Sequence, residues 1–252
     1  MIQTGVTPLP QTSHAPTGRV SAQGDPVFLM LQGPHGPFFD RLGRLLRAAG
    51  AVVWRCGFNA GDEFFWSDPK SFIRHQGSVD DWPDHLAAIL DDKGVTDIVL
   101  YGDVRPIHAT ARRLAAARGL RVHVFEEGYL RPYWVSYERQ GSNGNSVLMR
   151  IPLAQMRAAL REQINEVRRP PAHWGDMRHH KFYGAFYHFL ILVANGRYRA
   201  YSGHRAIGVV QEFRLNLRRL VLAPAYNLGR ALQWRRLRLS GWPYNLVLMQ
   251  LE

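Results

Sequence analysis

Apolar residues come in short continuous runs through the first half of the chain, and each run is closed by glycine, proline or charge. Val27 to Gln32 (VFLMLQ) is the first, and an unbroken apolar run of this length fits a parallel strand buried on both faces. Ala51 to Phe58 (AVVWRCGF), Thr96 to Tyr101 and Leu120 to Phe125 repeat that character. The segments between them change period. Phe38, Phe39, Leu42, Leu45 and Leu46 share one face of a helix, with Asp40, Arg41, Arg44 and Arg47 on the other and Gly50 as the stop. Asp80 to Leu90 reads as a helix capped by Asp80 or Asp81 with Pro83 in its first turn. Pro106 to Arg118 reads as another, stopped by Gly119. Asn59 to Gly77 reads as a polar loop with aromatic spikes. Strands alternating with helices across short links predict an α/β fold, a doubly wound, Rossmann-like parallel sheet flanked by helices.

After Trp134 the pattern changes. Gly141 to Asn145 is a turn-rich loop, and Ile151 onward reads mostly helical, broken at Pro170-Pro171. Aromatic and basic helices then run to about Leu239, and Pro243 to Leu251 (PYNLVLMQL) looks like one more buried strand. The expected division is a disordered leader over 1–25, an α/β domain over 26–150, a basic helical segment over 151–240, and the first strand of a further domain over 241–252.

Charge sharpens this division. The chain of 252 residues carries a net charge of +12, and ten arginines against one acid, Glu212, place +9 of it between Arg197 and Leu239. Such a block calls for a polyanionic partner, and basic helices carrying Trp and Tyr favour an anionic membrane surface over nucleic acid. Phe182 to Ala194 is interrupted by Gly184 and His188 and is shorter than the ~20 residues that span a bilayer. The leader lacks the apolar core of a signal peptide, and the single cysteine, Cys56, excludes an internal disulfide. These features predict a cytoplasmic chain. His179, His180, His188 and His204 sit among aromatics and arginines without carboxylates, so no metal site is expected. The neighbouring aromatic set, Phe182, Tyr183, Phe186, Tyr187, Phe189 and Leu190, reads as core or an inter-helix face.

The candidate chemistry lies at two strand ends, IVLYGDVRP (98–106) and VHVFEEGYLRP (122–132). In an open parallel sheet, ligands bind beyond the carboxyl ends of the strands. Gly102, Asp103 and Arg105 end the first strand, and Arg105 suits bidentate binding of a carboxylate or phosphate beside a helix N-terminus. The plainer reading makes Asp103 a helix cap. Glu126, Glu127, Gly128 and Arg131 end the second strand, and because adjacent strand residues face opposite ways, only one glutamate can look directly into a cleft. A carboxylate beside Arg131 stays ionised and can act as nucleophile, as in retaining glycosyl chemistry, whereas one buried without a partner can act as an acid. The plainer reading is a solvated pair flanking a glycine turn. Gly33, His35 and Gly36, in the GPHGPFF loop, permit close backbone approach to a ligand, although the loop matches neither a P-loop nor GxGxxG. His35 fits a turn as well as a catalytic role.

Together, QGPHGPFFDRLGRLLRAAG, Phe58-Asn59, Asp62 with Phe65-Trp66, YGDVRPIH and VHVFEEGYLRPYW resemble the bacterial capsular polysaccharide biosynthesis and export family, of the S type, from about Val27 to Leu251. The resemblance implies a retaining β-Kdo transferase in a two-domain GT-B arrangement. CMP-Kdo would be the donor, with no cofactor, and a phosphatidylglycerol-type lipid the acceptor. It makes Glu127 the first candidate for the essential carboxylate and Glu126 the second, with Asp103, Arg105 and Arg131 orienting the acidic sugar or the acceptor phosphate. It also implies a site peripheral to the inner membrane among other capsule biosynthesis and export proteins. Relatives continue past the segment that ends at Glu252, so the expectation is a truncated chain, inactive alone. The alternative is a non-catalytic assembly or export factor that binds glycolipid or partner proteins. A nucleic-acid-binding module comes third.

Overall fold

The computed structural model describes residues 25–128, 134–162, 178–203, 207–241 and 243. The leader up to residue 24, Arg131, the Pro170-Pro171 break, His204 and nearly all of the 243–251 strand fall outside them.

Six strands form one sheet in the order β3-β2-β1-β4-β5-β6. They are β1 (Val27–Met30), β2 (Val52–Gly57), β3 (Phe72–Arg74), β4 (Asp97–Tyr101), β5 (Arg121–Glu127) and β6 (Val135–Arg139). The first five run parallel, and β6 pairs antiparallel with β5, Glu127 lying opposite Val135. The helices are α1 (Phe38–Ala48), α2 (Ala60–Phe64), α3 (Trp82–Asp92), α4 (Pro106–Arg118), α5 (Leu153–Glu162), α6 (Arg178–Ala194) and α7 (Val209–Ser240). This is the doubly wound architecture read from the apolar runs.

The two-residue period of the strands sorts the core into two layers. Leu29, Leu31, Ile98, Leu100, Val122 and Val124 join Trp82, Leu86 and Ile89 of α3 and Ala111 and Ala115 of α4 on one face. Met30, Val53 and Val99 meet Phe39 of α1, with Trp66 and Phe72, on the other. Each large side chain so enclosed contributes roughly 1.5–3 kcal/mol. Trp82 is fully buried because its indole N–H also finds an acceptor, the Ile107 carbonyl at 2.9 Å.

Several local readings are corrected. The polar loop between Asn59 and Gly77 contains α2 and β3, and β6 adds an edge strand after Trp134. On α1, Leu45 is exposed while Asp40 is buried, because Asp40 accepts from the Ser67 amide (2.9 Å) and hydroxyl (2.6 Å) and pairs with Arg44 at 3.0 Å. Asp81 precedes α3 but its carboxylate accepts from the amide and hydroxyl of Ser78, making no side-chain cap bond to the helix. Phe182 and Phe189 of α6 are exposed, whereas Tyr187 is buried against the α/β domain. α6 packs on α2 and on α7, which runs on past Pro224.

Candidate functional site

The strand order reverses between β1 and β4, so the loops that follow them diverge and open a crevice. A cavity of about 130 Å³ fills it, lined by Gln32, Gly33 and His35 after β1, Arg105 after β4, and Glu127 at the end of β5. His180, Tyr187 and His188 of α6 and Glu212 of α7 close the far wall. A second cavity of about 240 Å³ shares Gln32, Arg105, Tyr201 and Gly203 with the first and is otherwise lined mainly by Phe58, His75, Val79 and Ile107. Arg105 therefore stands between a polar chamber and a more apolar one.

The other carboxylates of the two strand ends form a separate cluster. Glu126 accepts from the Ser142 hydroxyl and the Asn143 amide, each at 3.4 Å, and lies over Gly102. Burial raises its carboxyl above the usual range, the Ser142 bond opposes this, and the charge of Asp103 adds to it. Asp103 is buried, accepts from the Ser142 amide at 2.9 Å and lies 3.6 Å from Arg112. Its Oδ1 has no hydrogen-bond partner among the described residues. Gly102 makes the turn at φ +70°, with its amide on the Phe125 carbonyl (2.8 Å) and its own carbonyl 2.7 Å from Nδ1 of the buried His108. Gly128 donates to the Trp134 carbonyl at 2.9 Å, and so closes β5 onto β6.

Beneath the first cavity runs a buried polar network. Arg55 and Asp62, both buried, pair at 3.2 Å. Asn59 caps α2 by accepting from the Asp62 amide (2.9 Å), and the Asp62 carboxylate accepts from the Phe58 amide at 3.0 Å. The Tyr187 hydroxyl donates to Asp62 at 3.0 Å and accepts from Asn59 at 2.8 Å. Gln32 completes the chain, donating to Tyr187 at 3.3 Å and accepting from Arg105 Nη1 at 2.9 Å. Burial, then the negative charge of Asp62, pushes the Tyr187 phenol up, so it stays a neutral donor. Nε and Nη1 of Arg55 find no acceptor among the described residues, and the Phe39 and Trp66 rings flank its guanidinium at 5.5 and 5.7 Å.

The predicted residues thus divide. Gly33, His35, Arg105 and Glu127 share the first cavity. Glu126, Asp103 and Gly102 make the neighbouring cluster, and Gly36, at φ +106°, backs the loop against the Tyr183 ring. Arg131 lies outside the described residues. His35 stacks on Tyr187 with ring centroids 4.4 Å apart and meets His188 edge-on at 4.9 Å. Gln32, Tyr187, Tyr201, His188 and Glu212 were not singled out as site residues. The first three hold or flank Arg105 from three separate parts of the chain, and the local signal that could have pointed to the network is Asn59 three residues before Asp62, a helix-start spacing that the loop reading passes over. Among the described residues no group of three or more His, Cys, Asp or Glu could hold a metal ion.

A family profile described as capsule polysaccharide biosynthesis protein matches residues 96–252, well over half of the chain. Capsule polysaccharide modification protein LipB of Neisseria meningitidis serogroup A / serotype 4A is 37% identical over 123 residues, covering 48% of this chain and 29% of that protein. LipB of serogroup B matches to the same extent. Capsule polysaccharide export protein KpsS of Escherichia coli is 36% identical over 125 residues, covering 50% of this chain and 32% of the relative. The chain spans about a third of the length of the curated relatives it matches.

Proposed function

The chain belongs to the capsule polysaccharide biosynthesis protein family, and we propose that it serves capsule assembly as the part of a retaining Kdo glycosyltransferase that carries the essential carboxylate, Glu127. The observation that carries this reading is that Glu127 and Arg105 line one cavity where the sheet order reverses. The Glu127 carboxylate attacks the anomeric carbon of the donor sugar while the bond to the oxygen of the cytidine monophosphate breaks, and the nucleotide leaves with the electron pair. The acceptor hydroxyl then displaces the carboxylate, its proton passing to the phosphate of the released cytidine monophosphate, so two inversions retain configuration. Arg105, held by Gln32, binds the sugar carboxylate or the acceptor phosphate. Glu126, turned toward Ser142, supports the Gly102 turn instead of meeting the sugar.

The donor under this reading is CMP-Kdo, and the acceptor a phosphatidylglycerol-type lipid at the cytoplasmic face of the inner membrane, beside other capsule biosynthesis and export proteins. The word export in the name of the Escherichia coli relative favours a second reading, in which the same cavity holds glycolipid without turnover. One experiment separates them. The chain, alone and extended by the C-terminal part of that relative, is incubated with CMP-Kdo and lysophosphatidylglycerol, and the products are followed by mass spectrometry. Transfer that disappears in Glu127→Gln supports the enzyme. Lysophosphatidylglycerol binding weakened by Arg105→Ala, with no transfer in either form, supports the carrier.

A further inference from the structure

We propose that α7 is a docking face for an anionic lipid surface. Val210, Leu217, Val221, Leu228, Leu232 and Leu239 recur at alternating spacings of seven and four, an 11-residue repeat carried through the whole helix. All six are 40–77% exposed. A repeat of 3.67 residues per turn stays close to the α-helical period, so these apolar residues keep to one side of the helix. The helix of 32 residues presents that stripe over ~48 Å.

The borders of the stripe specify the charge of the partner. Arg214 and Arg218 neighbour Val210, Leu217 and Val221 at three- and four-residue spacing, and Arg235 and Arg236 neighbour Leu232 and Leu239 in the same way. All four arginines are exposed. The single acid on α7, Glu212, is buried, 3.7 Å from His188 of α6. The exposed face of α7 therefore carries guanidinium groups and no exposed carboxylate of its own. A second copy of the helix would set arginine against arginine along its length, which disfavours self-association. An anionic bilayer takes the leucines into its acyl boundary and pairs the arginines with phosphates. The helix lies on such a surface, since no helix among the described residues is long and apolar enough to cross one.

The test needs no turnover, so its outcome is independent of the glycosyl-transfer reading. The purified chain is sedimented with vesicles of phosphatidylcholine alone and of phosphatidylcholine mixed with phosphatidylglycerol. Binding is expected only to the anionic vesicles, weakened by added salt. It should fall roughly tenfold or more in the double variant R235Q/R236Q, which loses two surface-facing cations, and in L228S/L232S. Circular dichroism verifies that both variants keep their helix content, and Arg113→Gln on α4 serves as the control for charge elsewhere. Equal binding to neutral vesicles, or binding that the α7 variants leave unchanged, overturns the proposal. So does a chain that ignores both vesicles but forms a dimer broken by L228S/L232S, because a second copy would then cover the stripe.

Discussion

Glu126 and Glu127 are adjacent in sequence yet serve opposite sides of the β5 edge: Glu127 lines the cavity with Arg105, while Glu126 accepts from Ser142 and Asn143 over Gly102. The division follows from strand geometry, since consecutive side chains point to opposite faces. Under the proposed glycosyl-transfer reading, Glu127→Gln in the chain extended by the relative's C-terminal part should lower Kdo transfer by at least ~10³-fold with donor binding retained, the signature of a group acting on the reacting atoms. Glu126→Gln should lower it ~10-fold or less, because the amide keeps most of the bonds to Ser142 and Asn143. Equal losses in the two variants would remove the assignment.

Arg55 and Asp62 are an ion pair buried on both sides, with Tyr187, Gln32 and the Phe58 amide also donating to the carboxylate. Removing only the acid strands a buried guanidinium. Asp62→Ala should destabilise the fold by about 3–5 kcal/mol in urea unfolding, whereas the double change R55M/D62L should cost far less. A loss in Asp62→Ala below about 1 kcal/mol would show that the pair is solvated on the timescale of unfolding.

Asp97 should contribute a distinct limb to acid unfolding. Burial raises its carboxyl, but bonds from Arg121 (2.6 Å to each oxygen), His123 (2.8 Å) and Thr96 (2.5 Å) outweigh this and hold it well below the usual carboxylate range. A carboxylate depressed in the folded state contributes stability that is fully present above its unfolded value, ~3.9, and is lost as pH falls through the folded one. The wild-type chain should therefore lose more stability than Asp97→Asn between neutral pH and pH ~2, while the variant starts lower by about 1.5–3 kcal/mol. Parallel pH profiles for the two proteins would contradict this account.

Gly102 offers a test of the turn beneath Glu126. An added Cβ would meet only Glu126, at 3.6 Å, so the penalty at φ +70° comes from the backbone and not from crowding. Gly102→Ala should cost about 1 kcal/mol in thermal unfolding and Gly102→Asn less, because asparagine tolerates the left-handed region. The reverse order would point to packing against Glu126 as the constraint.

The strands with strong apolar runs were legible before any coordinates. Val27–Met30, Val52–Gly57, Asp97–Tyr101 and Arg121–Glu127 each contribute apolar side chains to both core layers, so their residue types alone declare them. Phe72–Arg74 is three residues long, and Val135–Arg139 is an edge strand with Val135 and Tyr137 exposed, so neither leaves a hydrophobic pattern strong enough to read. The glutamate pair and Arg105 were visible as charge at strand ends. Which glutamate enters the cavity was not, because that choice depends on the register of β5 between β4 and β6.

What the linear order could determine was local: the alternation of strand and helix, the acidic and arginine-bearing strand ends, and the basic character of α7. Tertiary structure alone decided the rest. Tyr187 reaches Asp62 and Gln32 from more than 100 positions away, and Glu212 turns inward to His188, leaving the arginines of α7 without exposed acids on that helix. Contacts of this range carry no short-period signature, since they exist only once α6 has packed on the completed sheet domain and α7 on α6.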